Sequence, residues 1–463
     1  MRTAKKVLLS ILLVLLIAAL LYITACRYLA QQPQSGAKPT PAPTPEAVEP
    51  TPTPTPEPTE PEEQPTPDEQ TPAPSPEPTP SGETVRAKLA VAGDIVVHDG
   101  LNAEAKRGDG SYDYEALLGG AADCVREADY AAATLETTFA DTEAYSGYPL
   151  FRSPDSLAAG LRALGFDLIN TGSEHCMDSG TDGLCRTLDV LEENALAHVG
   201  TCRTQDERDA ANGITFADVN GIRIAFLSFT CAANEAFAEE APPFAVNLLC
   251  RDGADGQREI DCEKLDADMA AARESGADVI AVFMHWGTEN QTAPDREQRA
   301  LADHLFEQGA DLILGGHTHV PQPMELRQVT DRNGKEKTGY VCFSLGNLVS
   351  CQTDLYTNLT AVVNIELEKD LGSGETVIRS VRYVPLFMMN RRDYGVTDGG
   401  WRYRLLDLRA VLDARAEGEV DYTEPMYRSM EEGLEDLRGI LGAQFEAGEE
   451  QSGDARTDVP DGT

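Results

Sequence analysis

Positive charge is scarce in this chain. Its 463 residues carry 38 Lys and Arg against 78 Asp and Glu, a formal net charge of −40. Nucleic acid backbones are held by Lys and Arg that neutralise runs of phosphate, so a general nucleic acid partner is excluded. The same shortage excludes docking onto anionic lipid through a broad basic patch. Paired cysteine motifs are missing too. Nine of the 10 cysteines follow Cys26, an odd number with no CxxC spacing, which excludes a disulfide scaffold and a zinc ribbon and leaves buried free thiols. No internal repeat is evident. What is present is 41% hydrophobic residues, enough for the core of one large domain or two ordinary ones.

Charge is unevenly placed. Residues 1–32 carry +4, residues 33–80 carry −8, residues 446–463 carry −5, and residues 81–445 carry the remaining −31. Arg2, Lys5 and Lys6 precede residues 7–25, nineteen positions without a charge. A helix of that length spans roughly 28 Å, about a bilayer core. Basic residues before it and an acidic stretch after it predict a cytoplasmic amino end and an extracytoplasmic remainder. Ile23-Thr24-Ala25-Cys26 also resembles a lipobox, the site at which bacterial lipoproteins are cleaved and lipidated on cysteine. A signal or anchor over 1–26, lipidated or uncleaved, tethers the protein to the membrane either way. Residues 33–80 then hold 18 of the 28 prolines, as in Thr51-Pro52-Thr53-Pro54. Alternating proline feeds neither helix nor sheet, so 27–84 is expected to be a disordered, extended stalk of up to roughly 150 Å.

Beyond the stalk, apolar strand-like runs alternate with helical ones, the pattern of an α/β domain. Strands are expected at 87–92, 131–135, 167–170, 214–219, 222–228, 279–284 and 312–314, and helices at 155–164, 180–193, 263–275 and 295–308. Asn220-Gly221 is a hairpin signal between two β-rich runs, and Asn333-Gly334 marks another. Residues 391–445 are read as a helical extension, and 446–463 as a disordered acidic tail.

Polar residues fall where these strands end. Gly93-Asp94, Leu135-Glu136, Ser173-Glu174-His175, Met284-His285 and Gly316-His317-Thr318-His319 each follow an apolar run. In open α/β sheets, ligands bind in the crevice beyond the carboxyl ends of the strands. Taken singly each has a plainer reading: Asp94 as a helix cap, Glu136 as a partner of Arg152, a lone histidine as a hydrogen-bonded structural residue. Taken together, carboxylate and imidazole at five strand ends suit a divalent metal such as Mn, Fe or Zn. His198 and His304 lack that context.

In this order, Gly93-Asp94, Leu135-Glu136, Tyr148-Pro149-Leu150-Phe151-Arg152, His175 with Asp178 and Gly180, His285-Trp286-Gly287-x-Glu289, His317-x-His319-Val320 and Ser344-Leu345-Gly346-Asn347 resemble the CapA family. These are capsule and poly-γ-glutamate synthesis proteins with a metallophosphatase-like fold. The resemblance covers residues 85–390. It implies a four-layer α/β sandwich of the metallo-dependent phosphatase type, with a two-metal site on its strand-end loops. Asp94, Glu136, His285, His317 and His319 would sit at that site, and His175 would be its catalytic histidine. Two departures stand out. The family usually carries Asn-Asn where this chain has Ser173-Glu174, leaving Glu174 as a candidate ligand. Related phosphatases begin with Asp-x-His, whereas here His98 comes two residues later than that pattern.

On that pattern Glu136 bridges two ions, Asp94 and His319 hold one, and Glu174, His285 and His317 hold the other. His175 with Asp178 would serve a leaving group, and Arg152 would clamp an anionic substrate. The expected function is metal-dependent phosphoester hydrolysis in the synthesis of a surface polymer such as poly-γ-glutamate, acting on the polymer or its precursor. The alternative is a non-catalytic, metal-stabilised protein that binds or guides the polymer.

Overall fold

The computed structural model describes residues 82–140, 144–234, 241–252, 258–419 and 421–447. The expected anchor at 7–25, Cys26, the proline-rich stalk and nearly all of the acidic tail lie outside the described residues. Among the described residues, no helix is long and apolar enough to cross a membrane.

Two mixed sheets form the centre. The eight-stranded first sheet runs in the order Tyr403–Asp407, Thr376–Asn390, Leu359–Asp370, Thr84–Ile95, Tyr130–Leu135, Leu168–Asn170 and Ala197–Val199, with Asn347–Val349 also pairing on Thr84–Ile95. The six-stranded second sheet runs Pro321–Thr330, Glu336–Leu345, Leu312–Gly316, Val279–His285, Ile222–Thr230 and Thr215–Val219.

Strand side chains alternate between faces, and the buried clusters follow that period of two. Leu89, Val91, Ala132 and Leu168 of the first sheet pack against Phe226, Ala281, Phe283 and Leu314 of the second. Their sequence neighbours Ala90, Ala92, Ala131 and Ile169 face outward onto Leu101, Leu157, Leu161 and Leu191 of helices Asp99–Ala105, Ser156–Leu164 and Gly180–Glu193. On the far side, Ala225, Ile280, Val282 and Ile313 face Leu265, Met269, Leu301 and Leu305 of helices Cys262–Glu274 and Arg296–Glu307. The layers are therefore helix, sheet, sheet, helix. Because both faces are covered, Val279–His285 is buried at every position.

Local signals explain the element ends. Asp295 accepts from the Gln298 N–H while the Gln298 side chain returns to the Asp295 N–H, a capping box that starts Arg296–Glu307. Asn220 and Gly221 have φ of 55° and 85°, the left-handed pair that a two-residue hairpin turn requires. The expected strands and helices all form, with ends shifted by at most two residues except in the first strand, which extends three further at each end as Thr84–Ile95. At 391–445 the reading is corrected: Tyr403–Asp407 is a strand that pairs with Thr376–Asn390. Met426, Met430, Leu434 and Leu441 then bury in the inter-sheet core, so this segment completes the sandwich. The tail boundary also moves, because Glu446 is buried and paired with both Arg409 and Arg438. Cys124, Cys176, Cys202 and Cys342 are buried free thiols, whereas Cys262 is exposed.

One glycine shows how tightly the strands close. A Cβ at Gly93 would lie 2.0 Å from the carbonyl oxygen of Gly346, on a strand neighbour that cannot swing away. Gly93→Ala should cost about 1–3 kcal/mol, read as a lower urea midpoint in chelated protein. Gly108→Ala, with nothing within 4 Å, should leave the midpoint in place. Equal midpoints for the two would contradict the packing at Gly93.

Candidate metal centre

Six side chains from the two sheets meet at one end of the sandwich. Asp94 lies in Thr84–Ile95, Glu136 directly follows Tyr130–Leu135, and Glu174 opens the turn Glu174–Met177 after Leu168–Asn170. These three carboxylates come from the first sheet. His285 closes Val279–His285, and His317 and His319 follow Leu312–Gly316, so the three imidazoles come from the second. The crevice lies where the strand ends of two stacked sheets face each other, in keeping with the four-layer sandwich that the resemblance implied.

Backbone conformation at these ends is unusual. His317 and His319 have φ of 85° and 61°, left-handed values that cost non-glycine residues stability. The His317 N–H donates to Asp94 Oδ2 at 2.8 Å, and a Cβ at Gly316 would sit 2.4 Å from Asp94 Oδ1. Glycine at 316 thus lets the histidine loop close directly over the aspartate.

The donor atoms fall into two groups, each within 4.8 Å: Glu136, Glu174, His285 and His317, and Asp94, Glu136 and His319. Glu136 belongs to both. It lies 2.8 Å from His285 Nε2 and 3.7 Å from His319 Nδ1, yet neither of its buried oxygens completes an aligned hydrogen bond. Asp94 Oδ1 and His317 Nδ1 are buried without one as well. A buried polar atom left in that state costs about 1–3 kcal/mol, more if charged. Divalent cations would satisfy all of them at once, so these residues fit the metal site that the strand-end pattern implies.

Charges are strongly perturbed here. Burial, followed by the negative charge of Glu136, pushes Asp94 up to about 7. Burial also works to raise Glu136 and Glu174, but the neighbouring imidazoles outweigh it and hold both below the ordinary carboxylate range. Burial alone would lower His285; Glu174 and Glu136 outweigh it and raise it well above an ordinary imidazole. His317 is raised by Glu174 against the same opposing burial.

His175, Asp178 and Arg152 assemble beside these donors. His175 Nδ1 lies 2.8 Å from Asp178 Oδ2. The same aspartate accepts the Phe151 N–H at 2.6 Å and the Asn234 amide at 3.0 Å. An acceptor so fully used holds the proton of His175 on Nδ1 and leaves Nε2 as the working nitrogen. Burial would drive a proton off His175, but Asp178 and then Glu136 and Glu174 outweigh it and raise its affinity. Arg152 reaches the Asp178 carbonyl at 3.5 Å, while its Nε is buried without a partner. It does not pair with Glu136, whose ion-pair partners are histidines.

Other histidines stay apart. His98 belongs to neither donor group, and its Nδ1 lies 3.1 Å from the Val96 carbonyl and 3.3 Å from the Cys351 N–H. His304 pairs with Asp266 and His198 with Glu192. Two contributors had no role in the sequence reading. Asn347 holds His319 through Oδ1 at 3.0 Å from Nδ1, and its place at a strand end after Ser344-Leu345-Gly346 was a usable signal. Asn234 comes from a loop with no motif.

Two expectations follow. His285→Ala and His317→Ala should each lower bound divalent metal, measured by elemental analysis, and remove the stabilisation metal gives, about 2.7 kcal/mol at a hundredfold excess over Kd. His304→Ala should leave metal content unchanged; equal loss in all three would sink the assignment. The second concerns pH. In metal-free protein Asp94, His175, His285 and His317 hold protons more tightly folded than unfolded, so they add stability that is lost as pH rises through their folded values. Glu136 and Glu174 shift the other way, and their contribution is already complete above the ordinary carboxylate range. Chelated protein should lose stability from about pH 6 to about pH 8, and added divalent metal should flatten that slope. A chelated protein that gains stability over this window would contradict the charge assignments.

Comparison with known proteins identifies the family. Residues 88–352 match the family of bacterial capsule synthesis proteins, PGA_cap. The PGA biosynthesis protein CapA of Bacillus subtilis is 31% identical over 214 residues, covering 46% of this chain and 50% of that protein. The capsule biosynthesis protein CapA of Bacillus anthracis is 29% identical over 217 residues, covering 46% and 47%. The chain thus matches about half the length of these relatives. The crystal structure of a phosphatase from Mycoplasma pneumoniae aligns with a TM-score of 0.39 at 12% identity, over 68% of this chain and 98% of that one. The family match spans more than half of the sequence and contains all six metal-donor candidates with His175, Asp178 and Arg152: the chain belongs to the bacterial capsule synthesis protein family, the family of CapA.

Proposed function

We propose that this protein is a membrane-anchored, extracytoplasmic phosphoester hydrolase acting in synthesis of capsule, poly-γ-glutamate or a related surface polymer. The observation that carries the proposal is Glu136, a buried carboxylate shared by two donor groups, whose oxygens face histidines without completing an aligned hydrogen bond. The names of the Bacillus relatives support the polymer, and residues 7–25 with the proline-rich stalk support a domain held outside the membrane.

Asp94 and His319 would hold one divalent ion, Glu174, His285 and His317 a second, with Glu136 between them. Such ions supply Lewis acidity and lower the pKa of water toward neutrality. His175, as the imidazolium that the Asp178 carboxylate favours by accepting its Nδ1–H, donates its Nε2 proton to the departing alkoxide and is left neutral. Arg152 turns its unpartnered Nε to an anionic oxygen of the substrate, as a guanidinium suits.

A second reading, a non-catalytic polymer-binding protein, is favoured by one feature. His285 pairs with both Glu136 and Glu174, and His317 with Glu174, so the histidines are already ion-paired by the chain itself. One variant separates the two. His175→Ala should cut turnover on a phosphoester panel by about 10²-fold while metal content stays at the wild-type level, and surface polymer in cells should fall with it. Normal polymer with metal intact would eliminate the hydrolase and favour the binding role.

A further inference from the structure

A cavity of about 380 Å3, linked to the metal centre through Asn347, has no part in the chemistry described above. Its volume is within the range of small-ligand sites, roughly 300–1,000 Å3. One wall is the loop of residues 350–358, and the other is formed by residues near the end of Thr376–Asn390, with Tyr394 and Tyr403. The loop is tied to the metal donors by hydrogen bonds. Asn347, which holds His319, donates its amide to Gln352 Oε1 at 2.6 Å and to Ser350 Oγ at 3.0 Å.

The lining has a definite chemical character. Tyr356, Tyr394 and Tyr403 supply aromatic surface, and Tyr356 holds a left-handed φ of 71°, a conformation that a tyrosine adopts only under constraint. Polar groups stand between the rings. Asp354 carries a carboxylate with no hydrogen bond to the described residues, and Asp393 accepts from Asn390 at 2.8 Å. No Lys, Arg or His lines the cavity. At the rim, Leu355 is 74% exposed.

These features discriminate among the organic groups that a phosphoester on the metal centre could carry. A γ-glutamyl segment would bring its carboxylates against Asp354 and Asp393, a like-charge contact that opposes binding, while the neighbouring Arg402 is engaged by the Tyr403 ring and by Asn390. An alkyl chain would cover the Asp354 carboxylate without giving it a partner. A sugar ring meets both demands: its C–H faces lie against tyrosine rings, and its hydroxyls donate to acceptor-only carboxylates and to the Gln352 side chain. We propose that this cavity is a subsite for a neutral, polyhydroxylated ring, so that the substrate of the metal centre is a glycosyl phosphoester. The substrate assignment rests on the hydrolase reading above; the binding site does not.

The test is made on the purified full-length chain with methyl glucoside, methyl galactoside and methyl N-acetylglucosaminide as neutral probes and γ-glutamylglutamate as the acidic one, by saturation-transfer NMR and titration. At least one glycoside should bind, and Tyr394→Ala and the conservative Asp354→Asn should each weaken it about tenfold with metal content unchanged. Absence of glycoside binding, binding unaffected by both variants, or capture of γ-glutamylglutamate at the same residues would overturn the subsite. If every phosphoester resists hydrolysis while glycoside binding and its loss in the variants persist, the hydrolase reading falls and the subsite stands.

Discussion

The face-to-face packing of two sheets is the constraint on which the rest of this molecule depends. Each sheet alone delivers donors of one chemical kind, carboxylates from the first and imidazoles from the second. Only when Leu89, Val91, Phe226 and Phe283 close the inner layer do the two sets come within coordination range. Apolar burial contributes about 25 cal/mol per Å2, and that non-directional term supplies what the site consumes. The site consumes a good deal, because buried carboxylates, left-handed histidines and unpartnered oxygens all oppose folding.

Glycine and strain set the final ångström. Gly93 and Gly316 allow backbone to approach where any side chain would collide, and His317 and His319 accept unfavourable φ to point back over Asp94. Around them Asn347 and Asp178 each fix one imidazole through a single ring nitrogen. Orientation of this kind lets a ligand or a proton donor act without reorganising. The Asn347 contacts also join the candidate metal centre to the loop that lines the cavity.

Overall acidity now has a local meaning. A domain carrying −31 gathers cations, and the donor set adds three carboxylates against three imidazoles that are neutral when they ligate. Glu174 is one of those three carboxylates and adds to the negative charge of the site. The same acidity works against capture of a polyanion by simple electrostatics.

Much of this was legible in the sequence. Period-two burial, the Asn220-Gly221 turn and the capped helix at 295–308 are local signals, written within a few residues and dictated by backbone sterics and hydrogen bonding. The strand-end donors were legible for the same reason, since a polar residue closing an apolar run is visible without knowing its neighbours. The strand Tyr403–Asp407 was not, because its apolar residues suit a helix equally and only pairing with Thr376–Asn390 decides between them. Nor was the burial of Glu446, which depends on Arg409 and Arg438 arriving from elsewhere in the chain. The sequence by itself determined which side chains stand at the ends of which strands. Tertiary structure alone decided that two separate sheets share those ends, because stacking is governed by long-range burial of apolar faces and leaves no signature within any one segment.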